Sequence, residues 1–407
     1  MLTNNRFYKK VSWNLFSNVM YAFSQWIIIV IISKFGDGKM LGQYSLAFSI
    51  TAPIVLFCGL SLRSYQITDV KNMFSLKDYV LTRRLTNYFS LIIIVIFILI
   101  SKYDFETNLI IIIIGLNKLI DGLNDIVQGD FQLNDNLEKA SKLKVFKSLF
   151  FIVSTILSFY LFDSFIYILL VMTLLNYAYY YFVDFQLIKK PLNTLEYNIN
   201  NVKLIIITTW TMGLNISLSS LTTNIPRVFV EKYDGLEVLG YFTAISYFML
   251  IGTLFVTAIG QATSTNLSKS LEKNDINKFK STIRNNINFS LILGIFSIIF
   301  SIFWGEKIIK LLYGSQAANY SDLLIILMIA TTFNFITSPY SYGIISLRIM
   351  KKQPLITLIS LGISLSLSYV LIPFYGVYGA GYIILISSIQ QFFMKKHIFN
   401  KALKTLR

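Results

Sequence analysis

The chain has 407 residues, 55% of them hydrophobic and 14% charged, and a formal net charge of +16. Apolar runs of this length and density exclude a soluble globular domain. A single cysteine and a single histidine exclude a disulfide framework and a Cys/His zinc site.

A helix crosses a hydrocarbon layer of roughly 30 Å with about 20 residues. Segments 11–33, 40–62, 85–101, 108–128, 145–162, 164–185, 204–230, 238–260, 286–304, 321–345, 354–373 and 376–394 meet that length and are predicted to span. Stretches such as Leu91 to Ile100 are apolar on every side instead of alternating, so the spans are helices and not barrel strands. The predicted fold is an all-α integral membrane protein of about twelve transmembrane helices.

The first span follows a short leader containing Arg6, Lys9 and Lys10. No small-residue cleavage site follows it, so it is read as retained. Asn14, Asn18, Tyr21 and Gln25 fall at spacings of four, three and four, which places them on one helical face. Cys58, alone in the second span, reads as a small buried hydrophobe. The basic loop that follows, with Lys71, Lys77, Arg83 and Arg84, serves either as an orientation signal or as a segment on anionic headgroups.

The fourth span, IIIIIGLNKLIDGLNDIVQGDFQ, carries Lys118, Asp121 and Asp125 on one face. Two readings stay open. Lys118 and Asp121 form a self-neutralising pair buried for packing, or the group is a cationic or proton-responsive element facing a cavity. The seventh span has Thr211, Asn215 and Thr222 where the first has its polar stripe, and Arg227 directly after Pro226. Arg227 either snorkels to the nearby interface or, with Thr223 and Asn224 on its face, clamps an anion whose geometry its fork matches.

Lys34-Phe35-Gly36-Asp37-Gly38-Lys39-Met40-Leu41-Gly42 aligns with Lys232-Tyr233-Asp234-Gly235-Leu236-Glu237-Val238-Leu239-Gly240. One residue of slippage upstream pairs Trp13 with Trp210 and Asn18 with Asn215. The chain therefore reads as two six-helix bundles, 1–200 and 201–407. Six crossings per half is an even number, so the repeats point the same way and are related by an axis along the membrane normal.

Charge placement follows the positive-inside rule. Of the 36 Lys and Arg residues, 28 fall on one side, namely the leader, the carboxy-terminal tail and the loops near Arg63 to Arg84, Lys139 to Lys147, Lys189 to Lys203, Lys269 to Arg284 and Arg348 to Lys352. Six fall opposite, and Lys118 and Arg227 remain within the membrane. Both termini are expected in the cytoplasm, and the basic balance is topological, so no nucleic-acid partner is implied.

Asn224-Ile225-Pro226-Arg227 with the following LEVLGYF turn and QATSTNLSK resembles the middle of the Wzx-type polysaccharide flippases. These belong to the multidrug/oligosaccharidyl-lipid/polysaccharide exporter superfamily. NDIVQGDFQ, IIKLLYGSQAANYSDLL, SLRIMKKQP and IPFYGVYGAG follow the family order, so the resemblance covers nearly the whole chain. It implies two bundles around a cavity that opens alternately to either side. The implied substrate is an undecaprenyl-pyrophosphate-linked oligosaccharide, moved between leaflets of the bacterial cytoplasmic (inner) membrane for O-antigen or capsule. Membrane lipids and other polysaccharide-assembly proteins are the remaining expected partners. Arg227 and Lys118 match the family's cavity cations. Asn18, Gln25, Asn215 and Asn224 complete the expected substrate contacts, and Asp121 and Asp125 the charge network.

The competing readings are an exporter of cationic small molecules, recognised through buried carboxylates, and a membrane-embedded glycosyltransferase or polysaccharide polymerase. The latter would show a large outward loop or an acidic catalytic pair, and neither is found. No phosphate-binding GxxxxGK[ST] loop is present. A non-enzymatic protein without a cofactor is expected.

Overall fold

The computed structural model describes residues 2–69, 71–188, 198–349 and 353–404, with side chains from Ser12 onward except Thr265. Lys189, Lys190, Lys351, Lys352 and Arg407 of the predicted basic side lie outside the described residues, as do the side chains of Arg6, Lys9 and Lys10.

The helices are α1 Leu2–Phe35, α2 Gly38–Cys58, α3 Leu62–Gln66, α4 Leu76–Ile100, α5 Phe105–Leu133, α6 Leu137–Leu161 and α7 Phe165–Tyr179. Then follow α8 Ile199–Ser246, α9 Phe248–Glu272, α10 Ile276–Tyr313, α11 Ser315–Ala318, α12 Ser321–Ser346 and α13 Gln353–Lys404. No strand occurs among the described residues. Nine segments of the described residues are long and apolar enough to cross a membrane. Two of these, Ile199–Glu272 at 74 residues and Gln353–Lys404 at 52, are each long enough to cross twice. Helix α5, which carries Lys118, Asp121, Asp125 and Asp130, adds the twelfth crossing. The protein is an all-α integral membrane protein with two six-helix bundles.

Local chemistry sets the breaks between helices. Asp37 caps α2, accepting from the Met40 backbone N–H at 2.7 Å. Ser75 and Asp78 form a reciprocal capping box on α4. The two long segments fold back at glycines. Gly235 has φ +87° and Gly376 φ +53°, left-handed conformations that an L side chain resists, so each supplies a tight reversal. Asp234 accepts a hydrogen bond from the Val377 backbone N–H and thereby ties the two reversals together. At the two ends of the sequence repeat, Leu41 and Leu239 are both fully buried.

Several helices run beyond their apolar spans. Helix α4 begins at Leu76, not 85, and α6 at Leu137, not 145. Arg83, Arg84, Lys144 and Lys147 therefore sit on helices, where the sequence reading had placed them among loop charges. Arg83 and Lys147 are buried, at 5% and 6% exposure.

The chain divides into two compact units, Met1–Leu221 and Thr222–Arg407. The division falls inside α8, and the first part of that helix is fastened to unit 1. Asp78 accepts from Asn198 N and Asn201 Nδ2, both at 2.9 Å. Farther along, Ser217 Oγ donates to the Pro53 carbonyl at 2.9 Å, and a Cβ at Gly213 would collide with the Phe57 carbonyl. Pro53 lies inside α2, where its ring removes a helical donor and disturbs the local carbonyl pattern. Unit 1 has a core around Tyr79, Ile126, Val127 and Ile205, and unit 2 one around Leu267, Phe279, Tyr340 and Phe399.

Candidate functional site

In unit 1, helix α5 gathers the polar residues. Asp121 accepts from Lys147 Nζ at 2.6 Å, which makes a salt bridge between α5 and α6. Asn176 on α7 donates to Asn117 Oδ1 at 3.0 Å and to Asp121 Oδ1 at 3.4 Å, and Asn117 donates to Thr173 Oγ1 at 3.3 Å. With the Asn124 amide oriented to suit its neighbours, its nitrogen donates to Asp184 Oδ2 at 2.9 Å and its oxygen accepts from Lys147. Asp184 ends a single π-helical turn, Tyr180–Asp184, which continues α7. Such a turn re-aims the side chains that follow it.

The self-neutralising pair of Lys118 with Asp121 does not form. Asp121 is held by Lys147, and Lys118 Nζ lies instead over the Phe48 ring, 3.3 Å from its centroid. The reason lies in α6, whose early start brings Lys147 onto the Asp121 face. Asp125 pairs with Arg63 at 3.3 Å, and Arg63 also donates to Gln128 at 3.1 Å and Gln132 at 3.4 Å. Asn18 accepts from Lys144 Nζ at 2.8 Å, and Lys144 lies over the Tyr21 ring at 4.7 Å. Gln25, farther along α1, makes no hydrogen bond among the described residues.

Of the expected residues of unit 1, Asn18, Asp121 and Asp125 thus have charged or amide partners that the sequence did not single out, among Arg63, Lys144, Lys147 and Asn176, with Asp184 joined through Asn124. Their signal was weak but present. Lys144 and Lys147 are three apart on one helical face and directly precede an apolar run, whereas Asn176 and Asp184 are single polar residues in apolar surroundings.

Unit 2 is sparser. Arg227 Nη2 donates to Ser246 Oγ at 3.1 Å, and Ser246 in turn donates to the Thr243 carbonyl at 2.8 Å. The contact is against snorkelling, one of the two readings open for Arg227. Arg227 lies eight residues before the Gly235 reversal and Ser246 eleven after it, so the guanidinium points roughly a turn along the helix pair, away from that reversal. Asn224 is buried beside it in sequence at 6% exposure, and Thr223 is exposed. In unit 1, the Asn215 Oδ1 is buried without a hydrogen-bond partner.

Among the described residues no group of His, Cys, Asp and Glu could hold a metal ion. What the helices present is a set of fixed cations and amides, suited to an anion and to hydroxyl-rich groups.

Comparison with known proteins identifies the family. The MatE family model matches residues 200–370. The capsular polysaccharide biosynthesis protein CapF of Staphylococcus aureus is 30% identical over 406 residues, 96% of this chain and 100% of the relative. Two solved structures share the fold, each with a TM-score of 0.74. One is a multidrug resistance MATE family transporter of the MOP superfamily in an inward-facing conformation, at 16% identity over 94% of this chain and 95% of that one. The other is the lipid II flippase MurJ in an inward closed conformation, at 17% identity over 98% of this chain and 89% of that one. The chain belongs to the polysaccharide flippases of the multidrug/oligosaccharidyl-lipid/polysaccharide exporter superfamily.

Proposed function

We propose that the protein moves an undecaprenyl-pyrophosphate-linked oligosaccharide from the inner to the outer leaflet of the bacterial cytoplasmic membrane, with both termini in the cytoplasm, for surface polysaccharide assembly. The observation that carries this reading is the full-length similarity to a capsular polysaccharide biosynthesis protein. Cations held inside the helices support it. A pyrophosphate and its sugars lose their hydration in hydrocarbon. Arg227, Lys118, Asn18, Gln25, Asn215 and Asn224 would replace that hydration while the lipid tail stays in the bilayer. Asp121 and Asp125 hold the neighbouring cations in place. Alternating access by rocking of the two bundles, 1–200 and 201–407, would carry the headgroup across without covalent chemistry.

Reconstitution in proteoliposomes tests it, with a fluorescent undecaprenyl-pyrophosphate oligosaccharide and an external quencher. Protein-dependent translocation is expected, and Arg227→Ala should lose it while inserting normally. A native protein that moves no such lipid, in vesicles where an established flippase succeeds, would turn attention to lipophilic cations. Undiminished translocation by Arg227→Ala would remove that residue from the mechanism.

A further inference from the structure

At one end of unit 2, three helices run on past their apolar spans. The spans 238–260, 286–304 and 376–394 are extended as helix to Glu272, back to Ile276 and on to Lys404. About ten to twelve further residues at 1.5 Å each make about 15–18 Å of helix, against a headgroup layer of roughly 6 Å.

The three extensions pack on one another. Phe279 of α10 stacks on Phe399 of α13 with ring centroids 6.0 Å apart, and Phe399 meets Tyr340 of α12 at 5.4 Å. Leu267 and Leu271 of α9 join the same apolar cluster. The turn from α9 to α10 is closed by Asp275 N, which donates to the Ser270 carbonyl at 2.8 Å, and the Asp275 side chain caps α10 by accepting from Lys278 N at 2.9 Å. The sequence reading had treated these charges as loop charges, whereas the structure sets them on a packed head with its own core.

The surface of that head is basic. Segments 261–286 and 395–404 together hold nine Lys and Arg residues and two carboxylates, Glu272 and Asp275. Lys280, Arg284, Lys395 and Lys396 lie close to the spans, where orientation and anionic headgroups account for them. Lys269, Lys273, Lys278, Lys401 and Lys404 lie farther out, at about 10 Å or more along their helices. All five are exposed, and none makes an ion pair among the described residues. Asn266, Asn274, Asn277 and Asn400 are exposed among them, and no large hydrophobic residue of these two segments is exposed. Lipid headgroups lie below these cations, and like charge keeps the same face of a second copy away. An extended basic surface on a packed head fits an extended acidic one.

We propose that this head of unit 2 is a docking surface for the acidic face of another protein in the aqueous phase. Exposed charge pairs hold such a contact, so it is transient and sensitive to salt. That this side is the cytoplasm rests on the orientation proposed above, whereas the surface itself does not.

The test uses the full-length protein in phosphatidylcholine nanodiscs, titrated at low salt with a fluorescent helical peptide that carries glutamates along one face. The native protein should bind it. The triple variant Lys273→Gln, Lys278→Gln and Lys404→Gln should bind about tenfold or more weakly. The triple variant Lys71→Gln, Lys139→Gln and Lys142→Gln removes the same charge from exposed positions of unit 1 and should bind as the native protein does. Should the head triple insert poorly, Lys273→Gln alone should still weaken the peptide about twofold to fivefold. No binding by the native protein, or equal loss in the two triples, would overturn the surface. So would a rise in unfolding temperature on adding phosphatidylglycerol to the nanodiscs that the head triple abolishes, because the outer cations would then be reaching headgroups.

A second readout separates docking from transport. In cells the head triple should lower polysaccharide export, while in proteoliposomes, where no partner is present, it should translocate lipid as the native protein does. Unchanged export, or equal loss in proteoliposomes, would overturn the docking role. Peptide binding by a native protein that translocates no lipid would sink the flippase reading and leave the surface standing.

Discussion

Lys147 of unit 1 and the half-buried Arg227 of unit 2 have their charges met in different ways. In unit 1, Lys147 is met by Asp121 at 2.6 Å and by the Asn124 amide, with Asn176 bracing the carboxylate from a third helix. In unit 2, Arg227 has one hydrogen bond among the described residues, to a serine hydroxyl at 3.1 Å. A charge satisfied by a fixed countercharge is part of the scaffold. One held only by a neutral hydroxyl keeps most of its field for an incoming anion, since a dipole offsets far less than a full charge does. The comparison separates a cation that ties two helices through a carboxylate from one that is met by a hydroxyl alone.

The sharpest way to break this comparison is to remove Lys147. Lys147→Ala would leave Asp121 without its countercharge next to a buried amide cluster. Breaking a buried pair from one side costs about 3–5 kcal/mol, and the lower end applies here because the Asp121 side chain is 36% exposed. Joint replacement, Lys147→Met with Asp121→Leu, should recover most of that loss. Thermal unfolding of the two single variants and the double variant in detergent measures the coupling. Additive effects would mean that the pair contributes no specific stability, and unit 1 would then resemble unit 2.

The length of the apolar runs was enough for the helical membrane fold and for the position of these two turns. Gly235 and Gly376 fall in short breaks between apolar runs, and the repeat around Lys34 and Lys232 identified one of them directly. Helix ends were less legible. Hydropathy marks where a segment turns polar, whereas a helix continues for as long as its backbone hydrogen bonds and caps allow. The Ser75/Asp78 capping box starts α4 well before its apolar run, and α6 likewise starts at Leu137. This is why Arg83, Lys144 and Lys147 looked like topological charges. Which carboxylate meets which cation was not legible, because α5 spacing puts Lys118 beside Asp121 and only the packing of α6 on α5 brings Lys147 there first.

Lys118 tests the same distinction inside unit 1. Its ammonium rests on the Phe48 face and makes no ion pair among the described residues, so in this respect it resembles Arg227 more than Lys147. A desolvated cation–π contact is worth about 2 kcal/mol, and the burial penalty of the charge opposes it. Lys118→Met should therefore change unfolding by less than Lys147→Ala while reducing translocation in the same proteoliposomes. A large loss of stability with translocation intact would assign Lys118 to the scaffold.

The smallest effects come from the neutral partners, and they sharpen the comparison most directly. Ser246→Ala takes from Arg227 its hydrogen bond and leaves a guanidinium whose desolvation nothing in the described structure offsets, at a cost of about 2 kcal/mol. Asn18→Ala takes from Lys144 a bond of similar length, 2.8 Å against 3.1 Å, yet Lys144 keeps the Tyr21 ring at 4.7 Å and the nearby Asp125 carboxylate. Its loss should be nearer about 1 kcal/mol. Unfolding of the two variants side by side gives the order. If Asn18→Ala proved the more damaging, the surrounding charges of unit 1 would not be sharing the load, and Lys144 would depend on Asn18 as Arg227 depends on Ser246.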